Sequence, residues 1–78
     1  TSPNIIYIVT WNNILKKVFC PFRVFVMKNV GDLRVGDVVL VQEVKVDINL
    51  KTIFIIENQA YYYHNFEILI DWVVVLTV

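Results

Sequence analysis

Seventy-eight residues and 9.2 kDa allow one small domain and exclude a large multi-part enzyme. Apolar residues make up 58% and charged residues 18%, against roughly 45–50% and roughly 25% in an ordinary globular chain, which excludes intrinsic disorder. Seven bases balance seven acids, so the strong positive field of a non-specific nucleic-acid or membrane binder is missing.

Within the apolar set, 15 Val and 10 Ile stand against six Leu and one Ala. Branched side chains suit a pleated surface better than a helix, so the chain reads as mostly β. The charge balance hides an asymmetry: residues 1–31 carry Lys16, Lys17, Arg23 and Lys28 and no acid, while residues 32–78 carry three bases and all seven acids. The first segment therefore reads as one wall of the core or as a basic arm. The wall is favoured because Ile5, Ile6, Ile8, Phe19, Phe22 and Phe25 need burial.

Cys20 is the sole cysteine. No intramolecular disulfide can form, a secreted disulfide scaffold is excluded, and a reducing cytoplasm fits best. The longest apolar runs, Ile5 to Val9 and Trp72 to Leu76, are five residues, whereas a bilayer span needs about 20. Neither a membrane span nor a signal peptide is expected.

In chain order, Ile5 to Thr10 is a β-branched run of strand length, ended by Trp11, Asn12 and Asn13. A short helical turn is predicted near 12–19, since Ile14, Leu15, Val18 and Phe19 recur at helical spacing, with Asn12 or Asn13 as cap and Pro21 as stop. Phe22 to Lys28 reads as a strand. Asn29 to Asp37 reads as a loop in which Gly31 and Gly36 each precede an aspartate and mark turns.

From Val38 to Lys51 the pattern alternates, with Val38, Leu40, Val44, Val46, Ile48 and Leu50 predicted to face the core and Glu43, Lys45, Asp47, Asn49 and Lys51 to face water. Thr52 to Glu57 is a short strand, Asn58-Gln59 a turn, and Ala60 to His64 a further strand forming a tight hairpin. Phe66 to Val78 again keeps one apolar parity and closes the chain with one or two strands. Five or six short strands in so few residues favour a small, strongly bent, partly open β-barrel. The all-β reading is thus an SH3-like barrel.

Three pieces carry a resemblance over residues about 33–70: the opening Val35-Gly36-Asp37-Val38-Val39-Leu40-Val41, the central strand Thr52-Ile53-Phe54-Ile55-Ile56-Glu57, and the close Tyr61-Tyr62-Tyr63-His64-Asn65-Phe66-Glu67-Ile68. Together they resemble a group of small bacterial and bacteriophage SH3-like proteins. The resemblance implies an accessory binding module, with the Gly-Asp turn starting a barrel strand and Phe66 plugging the barrel end. It also implies a core at 27–70, with 1–26 as an N-terminal strand and helical extension and 71–78 as a C-terminal strand, all within one domain. Asp32 to Leu40 and His64 to Phe66 are similar, in addition, to pieces of the intein and Hedgehog-type autoprocessing fold. That mechanism requires an N-terminal Cys or Ser, an upstream Thr-x-x-His and a terminal His-Asn pair, whereas this chain starts at Thr1, has His64 as its sole histidine and ends Leu76-Thr77-Val78.

No residue set points to catalysis, a cofactor or a metal. One His and one Cys, 44 residues apart, make no zinc site, Cys20 lacks a neighbouring base and reads as an inert buried thiol, and Asp32 and Asp37 read as turn-forming carboxylates. The most suggestive cluster is Tyr61-Tyr62-Tyr63-His64. On a strand Tyr61 and Tyr63 would share one face and Tyr62 the other, so that one side packs and the other presents aromatic surface able to grip a peptide or stack on bases. Trp72 to Val78, as an edge strand, would invite pairing with a second chain. The expected binding set is therefore Tyr61, Tyr63, His64 and Trp72. The expected function is that of a non-enzymatic cytoplasmic module binding a protein partner through its aromatic face or an exposed strand edge; a structural subunit associating as a homo-oligomer through the C-terminal strand is a further reading. A small nucleic-acid-binding barrel is the alternative, and a degenerate autoprocessing domain the remote one.

Overall fold

The computed structural model describes residues 3–10 and 12–69. They form an all-β molecule: β1 (Ile5–Val9), β2 (Leu15–Phe19), β3 (Phe22–Val26), β4 (Val38–Val41), β5 (Glu43–Val46), β6 (Thr52–Ile56), β7 (Gln59–Tyr62), a 3-10 turn (Tyr63–Asn65) and β8 (Phe66–Ile68). Three antiparallel sheets have the orders β1-β2, β4-β3-β8 and β5-β6-β7. They bend around one core without closing, so the barrel is partly open.

The core is built where the inward positions of the second and third sheets meet. Val24, Val26 and Val41 face Phe54 and Ile56 across the interior, all with essentially no exposure, and Phe22, Leu33 and Phe66 close the cluster. Phe54 is its centre, edge-on to Phe22 at 5.5 Å between ring centroids and tilted against Phe66 at 5.9 Å. Each such side chain contributes roughly 1.5–3 kcal/mol of burial. Among the described residues no buried polar side-chain atom lacks a hydrogen-bond partner.

Residues 12–19 form no helix. Leu15–Phe19 pairs antiparallel with β1, Ile6 opposite Val18 and Ile8 opposite Lys16. The spacing of Leu15, Val18 and Phe19 suits a helix, but Leu15-Lys16-Lys17-Val18-Phe19 also alternates, and the β-branched run of β1 supplies a partner. Asn12 and Asn13 build the hairpin loop instead of capping a helix. Asn13 lies at φ 62°, its N–H donates to Thr10 O, and Thr10 N–H donates to Ile14 O, the geometry of a three-residue loop with a left-handed residue at its end.

The expected single strand Val38 to Lys51 breaks at Gln42, whose N–H donates to Ile55 O. Before the break Val39 and Val41 point inward and Val38 and Leu40 outward, the reverse of the predicted parity. From the end of β5 onward the alternation buries nothing: Val46, its last residue, is exposed, and Ile48 and Leu50 are 98% and 84% exposed on the Asp47–Lys51 loop. Splitting this strand and adding β2 gives eight strands among the described residues instead of five or six.

The barrel also starts earlier than Met27. β3 is the middle strand of its sheet, pairing with β4 and β8, and it supplies Phe22, Val24 and Val26 to the core. The β1-β2 hairpin is the true extension, docked by Ile6, Val18 and Cys20 against that core and by Val44 N–H donating to Pro3 O at 2.7 Å. Residues 70–78, including Trp72 and the expected edge strand, lie outside the described residues.

Candidate functional site

The aromatic cluster is assembled by three local structures. Glu57 and Asn58, both at positive φ, make the two-residue turn that folds β7 back on β6, one position earlier than the expected Asn58-Gln59 turn. β7 carries Tyr61 and Tyr62 and then ends. Tyr63, His64 and Asn65 tighten into the 3-10 turn, held by Asn65 Nδ2 donating to Tyr62 O at 3.1 Å and by Met27 N–H donating to Asn65 O at 2.8 Å.

That change of backbone redistributes the tyrosines. Tyr61 and Tyr63 do not share a strand face, because Tyr63 has left the strand. Tyr61 is half-buried, edge-on to Phe66 at 5.9 Å, and its ring covers Gly31. Gly31 adopts φ +54°, and a Cβ there would meet Tyr61 Cε1 at 3.2 Å, so the glycine serves both the turn and the close approach.

Tyr62, Tyr63 and His64 form the exposed platform. The His64 ring is stacked on Tyr62 at 5.9 Å with 19° between planes, and Tyr63 meets His64 edge-on at 6.3 Å. Beside them a shallow groove of about 170 Å³ is lined by Ile53, Ala60, Tyr61 and Tyr62. Lys51 Nζ lies 5.6 Å from the Tyr62 ring centroid, and the Tyr62 hydroxyl donates to Asp47 Oδ2 at 3.3 Å. Tyr62, assigned by simple alternation to the opposite side, is thus the centre of the site. In the sequence Asp47 and Lys51 are legible only as water-facing positions of the Val38 to Lys51 strand.

Asp47 organises its loop. Its Oδ1 accepts from the N–H groups of Asn49 and Lys51, each at 2.9 Å. The Lys51 N–H, followed by those of Asn49, the Tyr62 hydroxyl and the Lys51 charge, holds its carboxyl below the ordinary carboxylate value against a smaller opposing effect of burial. Asp37 plays the same turn role elsewhere, accepting from Arg34 N–H at 3.0 Å. The Arg34 guanidinium is turned back onto the carbonyls of Gly31 and Leu33.

The described residues offer little for covalent or metal chemistry. Burial and the Glu43 charge push the pKa of the half-buried Cys20 thiol up, away from the nucleophilic thiolate form, and its Sγ lies 3.9 Å from Pro3 O. No group of three or more His, Cys, Asp or Glu side chains is placed to hold a metal. No helix among the described residues is long and apolar enough to cross a membrane. No protein family, curated protein or solved structure was found to match the chain.

Proposed function

We propose that the chain is a non-enzymatic, cytoplasmic SH3-like binding module, of the bacterial and phage kind, that takes an extended peptide on the Tyr62, Tyr63 and His64 platform. The observation that carries this reading is the exposed Tyr62–His64 stack at the lip of an apolar groove. Flat aromatic faces beside a groove suit the preformed, low-entropy polyproline helix, whose rings pack on aromatic surfaces without a large ordering cost. The strand sequence supports the fold half of the proposal: a bent β4-β5 strand, a tight β6-β7 turn, and a 3-10 turn leading into β8, which pairs with β3. Arg34 is engaged with its own loop and the Lys51 charge beside Tyr62 is set against that of Asp47, which weighs against nucleic acid.

Titration of a blocked Pro-x-x-Pro peptide, followed by Tyr and His ring resonances, tests the proposal. Saturable shifts at Tyr62, Tyr63 and His64 that vanish in Tyr62→Ala/Tyr63→Ala, with circular dichroism unchanged, are expected. Absence of shifts, together with salt-sensitive oligothymidylate binding that Lys16→Ala, Lys17→Ala and Arg23→Ala remove, would replace it with the nucleic-acid reading.

A further inference from the structure

The β1-β2 hairpin presents a second exposed surface, built from residues other than those of the Tyr62 platform. Cys20 N–H donates to Asn4 O at one end of the hairpin and Thr10 N–H to Ile14 O at the other. In an antiparallel pair the mutually bonded residues alternate, so Ile6 with Val18 and Ile8 with Lys16 are the bonded pairs between them. The N–H and C=O groups of Leu15, Lys17 and Phe19 therefore turn away from β1. β2 pairs with no other strand among the described residues, which leaves these groups on an open edge.

The same three residues present their side chains outward. Leu15 and Phe19 are 66% and 59% exposed, and on β1 the exposed Val9 stands opposite Leu15 and the 58% exposed Tyr7 opposite Lys17. Lys17 sits in the middle of this apolar face, its Nζ 5.8 Å from the Tyr7 ring and 5.7 Å from the Phe19 ring. No carboxylate occurs anywhere in residues 1–31, so nothing in this segment neutralises it.

We infer that the open edge of β2 receives an extended segment of a partner protein with the pattern apolar-x-acidic-x-apolar, added as a third strand. The backbone supplies the general affinity, because the partner's N–H and C=O groups satisfy those of Leu15, Lys17 and Phe19. Charge supplies the selection: the residue directly opposite Lys17 shares its face and meets its ammonium, while its neighbours two positions away cover Leu15 and Phe19. A second copy of this chain does not fit, since full-overlap antiparallel pairing of two β2 strands sets Lys17 against Lys17. Edge lysines guard against such self-pairing.

The test is a titration of the blocked peptide Thr-Val-Thr-Glu-Thr-Val-Thr against the full chain, followed by backbone amide shifts. Shifts are expected at Leu15, Lys17 and Phe19, with affinity about tenfold weaker for the peptide bearing Lys in place of Glu. Lys17→Glu should reverse that preference, and Lys28→Glu, an exposed charge outside the hairpin, should leave it unchanged. Reversal by charge exchange is a readout that loss of folding cannot imitate. The proposal is overturned by equal affinity for both peptides, by shifts confined to the Tyr62 platform, by self-association through β2 in sedimentation, or by hairpin binding to phosphatidylserine vesicles without a peptide response.

Discussion

Tyr62 and Asp47, 15 residues apart, are joined by the hydrogen bond from the Tyr62 hydroxyl to Asp47 Oδ2. The contact couples the Asp47–Lys51 loop to the aromatic platform. Asp47 is at once the acceptor that shapes its own turn and the anchor that orients the central ring of the candidate site.

The pH dependence of stability follows from that carboxylate. Its folded-state pKa is lowered, so its contribution is fully present above the ordinary carboxylate value of about 4 and is lost as pH falls through the lower folded value. Asp47→Ala should lower the thermal midpoint at neutral pH, and the gap to the parent chain should shrink as the solution is acidified below about pH 4. A gap that stays constant down to strongly acidic pH would show that the carboxylate charge contributes nothing. The same variant should broaden the Tyr62 ring resonances.

Leu50 closes the Asp47–Lys51 loop at φ 62°, the left-handed position that Asn13 occupies in the β1-β2 loop. Its side chain is almost wholly in solvent, so it gains no packing for a conformation that costs an L-residue roughly 1–2 kcal/mol. Leu50→Gly should therefore stabilise the chain, by about 0.5–1 kcal/mol once the larger unfolded-state entropy of glycine is set against the relief. Denaturant unfolding at constant m-value measures it. A destabilisation would mean that Leu50 is covered in solution.

Gly31 and Gly36 separate two demands usually confounded. Both have positive φ, but only at Gly31 would an added Cβ meet Tyr61. Gly36→Ala should cost stability through the backbone alone and leave the Tyr61 resonances in place. Gly31→Ala should cost about 1–2 kcal/mol for its φ and in addition move the Tyr61 ring, perturbing its neighbour Phe66. Identical spectra for the two variants would contradict the packing of Tyr61 over Gly31.

The sequence by itself determined the class of the fold. Val and Ile in excess, short apolar runs and polar or glycine-bearing breaks leave strands as the way to bury this composition, and Ile5 to Val9, Phe22 to Val26, Thr52 to Ile56 and the Gly36-Asp37 turn follow directly from local pattern. Local pattern fails where two periodicities fit the same residues. Leu15 to Phe19 satisfies helix and strand alike, and pairing with β1, a contact between segments, made the choice. Alternation from Val38 to Lys51 says that successive side chains oppose one another, but which parity faces the core depends on where the strand bends, and the bend at Gln42 is set by its bond to Ile55 on β6. The platform was half legible for the same reason: the tyrosine run and His64 are visible in the chain, but Tyr63 leaves the strand because the backbone tightens into a 3-10 turn bonded to Met27. That turn turns the expected Tyr61/Tyr63 face into a Tyr62–His64 stack. Composition fixes how much must be buried, and only contacts between distant segments decide which face does the burying.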